Sequence, residues 1–274
     1  MSTYPEFKTL RVCRERSRLY VTIQRPEAKN ALSDEVVDEL TTLVELASAD
    51  KTLRAWIMRG SEGTFCAGAD LKGFRESFAT PPPSTGEPDP VAIKNRRFGK
   101  FLTKLQDIPL TTVGVIEGAA FGGGLGLTCV FDVVITRRDT KFALSETGLG
   151  IPPAQIAPFV VRRLGLAKAR RLALTGARFD GMHAFEIGLA DFVAEENEEL
   201  EGILKRVLND IGRCASGANE VTKRILFDTA SGPLEEVLDR ASVAFARQLR
   251  SAEGTEGISA FLEKRPARWV DKVE

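Results

Sequence analysis

Gly118-Ala-Ala-Phe-Gly-Gly-Gly-Leu-Gly126 is the stretch on which the reading of this chain turns. It follows an apolar, strand-like run at residues 110–116, and its small residues suit a backbone that bends sharply or approaches something closely. Helical spacing resumes over residues 123–131. N–H groups exposed at such a helix start can hold an anion or a developing oxyanion. A nucleotide loop is the rival, and the spacing excludes it. Counted from Gly122 or Gly124, the last glycine of G-x-G-x-x-G falls on Leu127 or Cys129, and no Lys-Ser or Lys-Thr follows to make a P-loop. On their own, three glycines serve close helix–strand packing equally well.

Two further segments share this setting. Phe65-Cys-Ala-Gly-Ala-Asp-Leu-Lys72 follows a buried-strand pattern at 53–59, and Phe142-Ala-Leu-Ser-Glu-Thr-Gly-Leu-Gly-Ile151 follows another at 132–136. α/β proteins build their sites just beyond such strands. Upstream, residues 9–14 and 19–24 read as paired strands, and Ser33 is placed to cap a helix with Asp34 and Glu35 in its first turn. Asp89-Pro90 starts a second helix, to about residue 106, after a loop at 76–90 that carries five prolines. Beyond residue 167 the pattern is mostly helical, over 168–174, 181–188, 196–212, 216–229, 233–249 and 255–264. The expectation is an α/β core over residues 1–200 and a helical C-terminal region over 201–274.

Composition narrows the chemistry. Among 274 residues, 38 Lys+Arg balance 38 Asp+Glu, which argues against a general nucleic-acid binder but not against a small anion held by local cations. Cys13, Cys66, Cys129 and Cys214 form no CxxC pair, and there is one histidine, so a zinc or thioredoxin-like site is not expected. Cys66 and Cys129 read as small apolar residues of a reducing compartment. His183, in Asp180-Gly-Met-His-Ala184, has no matching serine or cysteine motif and reads as non-catalytic. The first eight residues lack a signal-peptide core, and the charge-free stretches at 118–131 and 147–161 are too short to span a bilayer. A cytoplasmic protein with no membrane partner is expected. Any catalysis must use carboxylates, backbone groups or lysines.

In order and spacing, the three segments resemble the crotonase family, the enoyl-CoA hydratase/isomerase superfamily. Arg25-Pro26, Lys29-Asn30-Ala31-Leu32, Thr175-Gly176, Ala184, Gly188-Leu189 and Phe261-Leu-Glu-Lys-Arg265 fit it too, so the likeness runs from about residue 8 to 266. The resemblance implies a spiral of ββα units with a helical C-terminal extension, assembled as a trimer or a dimer of trimers. It implies an acyl-CoA thioester substrate, no separate cofactor and no metal. By position, the N–H groups of Ala69 and Gly123 would form an oxyanion hole for the thioester carbonyl. Lys29, Ala31, Ala67, Asp70 and Leu71 would lie along the CoA, with Asp70 also holding the first turn. Phe261 and Lys264 would approach the CoA of a neighbouring subunit.

The carboxylates depart from the best-known family pattern. Two-glutamate hydratases carry one glutamate two residues after the glycine run, where this chain has Gly126; the second is present as Glu146. One base suffices to move a proton between carbons, as an isomerase does. Hydration requires that one glutamate both activate water and protonate the α carbon. Glu117 and Asp132 are poor substitutes: the first precedes the glycine turn, and the second is expected to cap the following strand. The run Pro152-Pro-Ala-Gln-Ile-Ala-Pro-Phe-Val-Val161 looks like that of methylglutaconyl- and isohexenylglutaconyl-CoA hydratases, relatives that also carry glycine at the first carboxylate position. This favours a hydratase for a branched or carboxylated 2-enoyl-CoA. An isomerase and a non-catalytic acyl-CoA-binding protein are the alternatives.

Overall fold

The computed structural model describes residues 4–70 and 79–273. β1 (Leu10–Glu15) and β2 (Arg18–Ile23) form an antiparallel hairpin. β3 (Ala55–Gly60), β4 (Thr111–Ile116), β6 (Val133–Arg137) and β9 (Phe192–Ala194) continue from β2 as a parallel sheet in the order β1-β2-β3-β4-β6-β9. A smaller sheet of β5 (Ala119–Phe121), β7 (Lys141–Ala143) and β8 (Arg178–Asp180) forms a second layer. Isolated parallel bridges join Cys66 to Ala120 and Leu32 to Ala69.

The chain alternates between the layers. β4 leads to β5 and then to α3 (Gly123–Val130); β6 leads to β7 and then to α4 (Ala157–Leu164) and α5 (Leu166–Thr175). These are the turns of a ββα spiral. α1 (Asp34–Ala49) and α2 (Pro90–Asp107) precede them, and α6 (Gly181–Glu186) follows. The helical extension comprises α7 (Asn197–Arg213), α8 (Ser216–Thr229), α9 (Leu234–Leu249) and α10 (Ala252–Leu262).

Strand periodicity divides the interior in two. Along β3, Trp56 and Met58 face a large core with Leu19, Val21, Leu40, Phe65 and Phe142. Ala55 and Ile57 face the other way, onto Leu200, Leu204, Val207 and Ile211 of α7. The boundary expected at 200/201 therefore falls inside a helix that covers the main sheet. Cys66 and Cys129 are buried, and burial pushes both thiols up to about 12.

Ser33 caps α1 through Val36 N–H at 3.3 Å, and Asp89 caps α2 through Val91 N–H at 2.7 Å. Other expectations need correction. The hairpin is displaced by one residue, α4 has no counterpart in the sequence pattern, and α10 begins at Ala252 because Ser251 Oγ accepts Gly254 N–H at 3.0 Å. β5, β7, β8 and β9 have three residues each, too few to show a period. Asp132 does not simply cap β6. Its Oδ2 accepts from Thr112 N (2.7 Å) and Oγ1 (3.0 Å) and pairs with Lys223 at 2.8 Å, tying β4 to α8.

Asn30 fastens the loop before α1 to the turn after β3. Fully buried and at φ +55°, it accepts from Arg25 N–H (2.9 Å) and Ser61 Oγ (3.0 Å) and donates to the carbonyls of Ser61 (3.0 Å) and Thr64 (2.6 Å). Asn30→Ala strands these partners in an interior where an unsatisfied polar group costs roughly 1–3 kcal/mol. Urea denaturation should show a loss of at least about 3 kcal/mol. A loss below about 1 kcal/mol would show that water replaces the amide.

Candidate active site

The parallel bridge between Leu32 and Ala69 aims one backbone donor. Leu32 N–H donates to Gly68 O at 2.8 Å and its carbonyl accepts Asp70 N–H at 3.0 Å, so Ala69 turns its own N–H away from Leu32. Gly68 permits this turn at φ +101°. The second donor comes from α3, whose first residue, Gly123, has an N–H that no intrahelical carbonyl can reach. Neither N–H has an acceptor among the described residues. Leu32 brings the two regions together: a methyl group on Gly123 would lie 2.8 Å from Leu32 Cδ1 and 3.5 Å from Phe98 Cζ.

Glu146 completes the arrangement. Gly122 adopts φ +49° and ψ −112°, and a methyl group there would stand 2.7 Å from Glu146 Oε1. The carboxylate therefore rests against Gly122, the residue that precedes Gly123 in the chain. Gly122 N–H donates to Ala143 O at 2.9 Å, which joins the glycine turn to the strand leading towards Glu146. Glu146 Oε2 is buried with no hydrogen-bond partner among the described residues. Burial raises the carboxyl above the usual glutamate range, because the charged form loses solvation. A carboxylate with one oxygen, Oε2, unpartnered among the described residues can accept a proton while the two donors receive negative charge.

The position of the family's other glutamate is closed. A methyl group on Gly126 would overlap Ile156 Cγ2 and lie 2.9 Å from Ile156 Cβ. Glu117 lies near Arg59, 3.8 Å from its Nε, and Asp132 is engaged by Thr112 and Lys223. His183 sits between Arg171, whose Nη2 is 3.0 Å from Nε2, and Glu186, 3.1 Å from Nδ1.

The remaining sequence candidates fall into two groups. Lys29 is exposed, and its carbonyl accepts Ala67 N–H at 3.0 Å, which places both on the segment pair that carries Ala69. Ala31 and Asp70 are linked by Arg25, which donates to Ala31 O at 2.6 Å and pairs with Asp70 at 3.0 Å. Phe261 and Lys264 lie at the end of α10, which packs on α8 and α9; Phe261 is 81% exposed. Leu71 lies outside the described residues, as do residues 76–78 of the proline-rich loop. Sequence reasoning missed Arg25 as a link, Phe98 over Gly123 and Ile156 over Gly126. Arg25-Pro26 stood out only as a family signature, and the other two needed the fold.

Residues 14–272 match the family model described as enoyl-CoA hydratase/isomerase. An enoyl-CoA hydratase/isomerase from Marinobacter aquaeolei superimposes with a TM-score of 0.93 at 39% identity, covering 96% of this chain and 100% of that one. Pseudomonas aeruginosa AtuE does so with a TM-score of 0.92 at 43% identity, over 96% and 100% of the two chains. The mouse mitochondrial methylglutaconyl-CoA hydratase is 30% identical over 256 residues, 90% of this chain and 77% of that protein. The chain belongs to the enoyl-CoA hydratase/isomerase (crotonase) family, whose members act on acyl-CoA thioesters.

Proposed function

We propose that this enzyme adds water across the double bond of a branched or carboxylated 2-enoyl-CoA, with Glu146 as its acid–base group. The observation that carries this reading is the half-buried Glu146 carboxylate, whose Oε2 is buried without a hydrogen-bond partner among the described residues, lying against Gly122 at the start of α3. Glu146 takes a proton from water as the oxygen bonds to the β carbon, and the double-bond electrons move to the thioester oxygen. Ala69 and Gly123 N–H hold that enolate oxygen, a contribution of roughly 2.7–4 kcal/mol per donor. Glu146 then returns the proton to the α carbon, so one water is consumed and no proton is left over. Ile156 leaves no room for a second carboxylate, so both proton transfers fall to Glu146. The same feature supports a second reading, isomerisation, in which Glu146 moves a proton between two carbons of the acyl chain.

Lys29 is our candidate for the CoA phosphates, with Ala31, Ala67 and Asp70 along the same edge. The likeness of residues 152–161 to glutaconyl-type hydratases supports the acyl class. The exposed Leu226, Leu234, Leu238, Phe245 and Phe261 of α8–α10 support assembly through this face, which would bring Phe261 and Lys264 to a neighbour's CoA. Light scattering should then give a mass of three or six chains; a monomer would contradict it.

Glu146→Gln should lower kcat by about 10²–10⁴-fold in loss of enoyl-thioester absorbance. Wild-type-like turnover would remove Glu146 from the mechanism, and a conjugated product from a 3-enoyl thioester would favour isomerisation. The same variant tests the burial cost. A carboxyl whose folded pKa is raised binds its proton more tightly in the native state, so its ionisation costs stability as pH rises through that pKa. Glu146→Gln should therefore melt above wild type at pH 8, and the difference should vanish as pH falls below the usual glutamate range. An equal difference at both pH values would refute this assignment.

Gly126→Glu should be destabilised by about 1–3 kcal/mol through overlap with Ile156, and Ile156→Gly in the same chain should recover most of that loss. Thermal denaturation of the single and double variants checks the coupling.

A further inference from the structure

The backbone supports the two donors of the site in different ways. In a trans peptide the carbonyl and the N–H point in opposite directions, so a hydrogen bond to the oxygen polarises the N–H as well. The unit that carries the Gly123 N–H has Gly122 O at its other end, and this oxygen accepts Gly126 N–H at 3.0 Å. Gly123 thus heads the hydrogen-bonded ladder of α3, where aligned peptide dipoles leave partial positive charge on the first N–H groups. Ala69 has no such helix behind it, because it lies in a single isolated bridge.

Arg25 supplies what the helix does not. Its Nη1 donates to Ala31 O at 2.6 Å. That carbonyl shares a peptide unit with the Leu32 N–H, which donates to Gly68 O at 2.8 Å. Gly68 O shares the next unit with the Ala69 N–H. The guanidinium, the Ala31–Leu32 peptide and the Gly68–Ala69 peptide therefore form one relay that ends on the Ala69 donor. Each bond in such a relay strengthens the next by about 10–30%, and a permanently charged first donor makes the first bond a strong one. The guanidinium is held in place for this role. Its side chain is 19% exposed, and Nη2 pairs with Asp70 at 3.0 Å. The backbone of Arg25 is tied to Asn30, with Arg25 N–H donating to Oδ1 and Asn30 N–H donating to Arg25 O, both at 2.9 Å. Glu27, an exposed carboxylate, lies 3.9 Å from Nε.

We propose that Arg25 is a positioning residue that strengthens the Ala69 N–H as a donor, acting through two peptide units as the helix dipole acts on Gly123. It touches no substrate and works on the developing oxyanion only through the backbone. Asp70 is the counter-charge of the relay and not a link in it. A clamp that merely joined the two segments would need Asp70 as much as Arg25. The relay needs the guanidinium, and the carboxylate damps it. The assignment rests on the reading of Ala69 and Gly123 as donors to a thioester oxygen, and it adds the source of the first donor's strength.

Infrared spectroscopy of butyryl-CoA, isotopically labelled at the thioester carbonyl, provides the test. Donors to the oxygen lower the carbonyl stretch, and this saturated thioester has no double bond to hydrate or shift. The stretch should fall on binding to the wild type. Arg25→Met should forfeit at least about 10% of that fall, the lower bound for one link of the relay. Arg25→Lys keeps the charge but not the two-pronged geometry, and should lie between the two. Asp70→Asn keeps an acceptor for Nη2 and removes the counter-charge, so its fall should equal or exceed that of the wild type. If Arg25→Met does not fold, the Lys and Asn variants decide the matter by moving in these opposite directions. A fall unchanged in the Arg25 variants, or reduced as much in Asp70→Asn as in them, overturns the relay and leaves the oxyanion reading standing. A wild type that does not bind the probe, or binds it with the stretch at its solution value, overturns both.

Discussion

Leu32 pairs with Ala69 through two backbone hydrogen bonds, and its side chain presses on Gly123. One residue therefore fixes the direction of the first donor and the distance to the second. The surrounding structure holds this residue still. Asn30, its near neighbour, is locked by four hydrogen bonds, and Arg25 joins Ala31 to Asp70 on either side of the bridge. Cys66 N–H and O bond to Ala119 and Phe121 at 2.9 and 3.0 Å, which registers the segment before Ala69 against the strand before Gly122. On the proposed mechanism, preset donors need no reorganisation when charge develops between them, so rigidity in these loops would act directly on the barrier.

The same packing explains why a single carboxylate stands here. Gly122 is bare because Glu146 rests on it, and Gly126 is bare because Ile156 does. The two glycines are one turn apart, and their occupants have opposite chemistry: one titratable and poorly solvated, the other inert. Desolvation of Glu146 costs the fold something when the group ionises, but it also raises the group's affinity for a proton. In the proposed role, a base that must return what it takes benefits from a pKa nearer neutrality.

Much of this is legible in the chain itself. Glu146 stands out only through the family resemblance, whereas the glycine run and the Cys66–Asp70 segment are recognisable because sharp turns restrict residue choice severely. Ser33 and Asp89 announce their helices for the same reason. The second sheet is not legible, since strands of three residues carry no usable period, and α4 is hidden behind Pro152, Pro153 and Pro158. Arg25, Phe98 and Ile156 are beyond reach for a different reason. Each acts by meeting a residue far away in sequence, and nothing local marks a side chain for such a partner.

Cys66 lies directly beneath the glycine helix, with its Sγ 3.2 Å from where a methyl group on Gly124 would be. A 2-enoyl thioester is a Michael acceptor, and a thiolate near its β carbon would alkylate itself. Burial pushes this thiol up to about 12, so at neutral pH it stays in the weakly nucleophilic thiol form. On the proposed function, the apolar packing around the Ala69 and Gly123 N–H groups would thus also keep this thiol from reacting with an enoyl thioester.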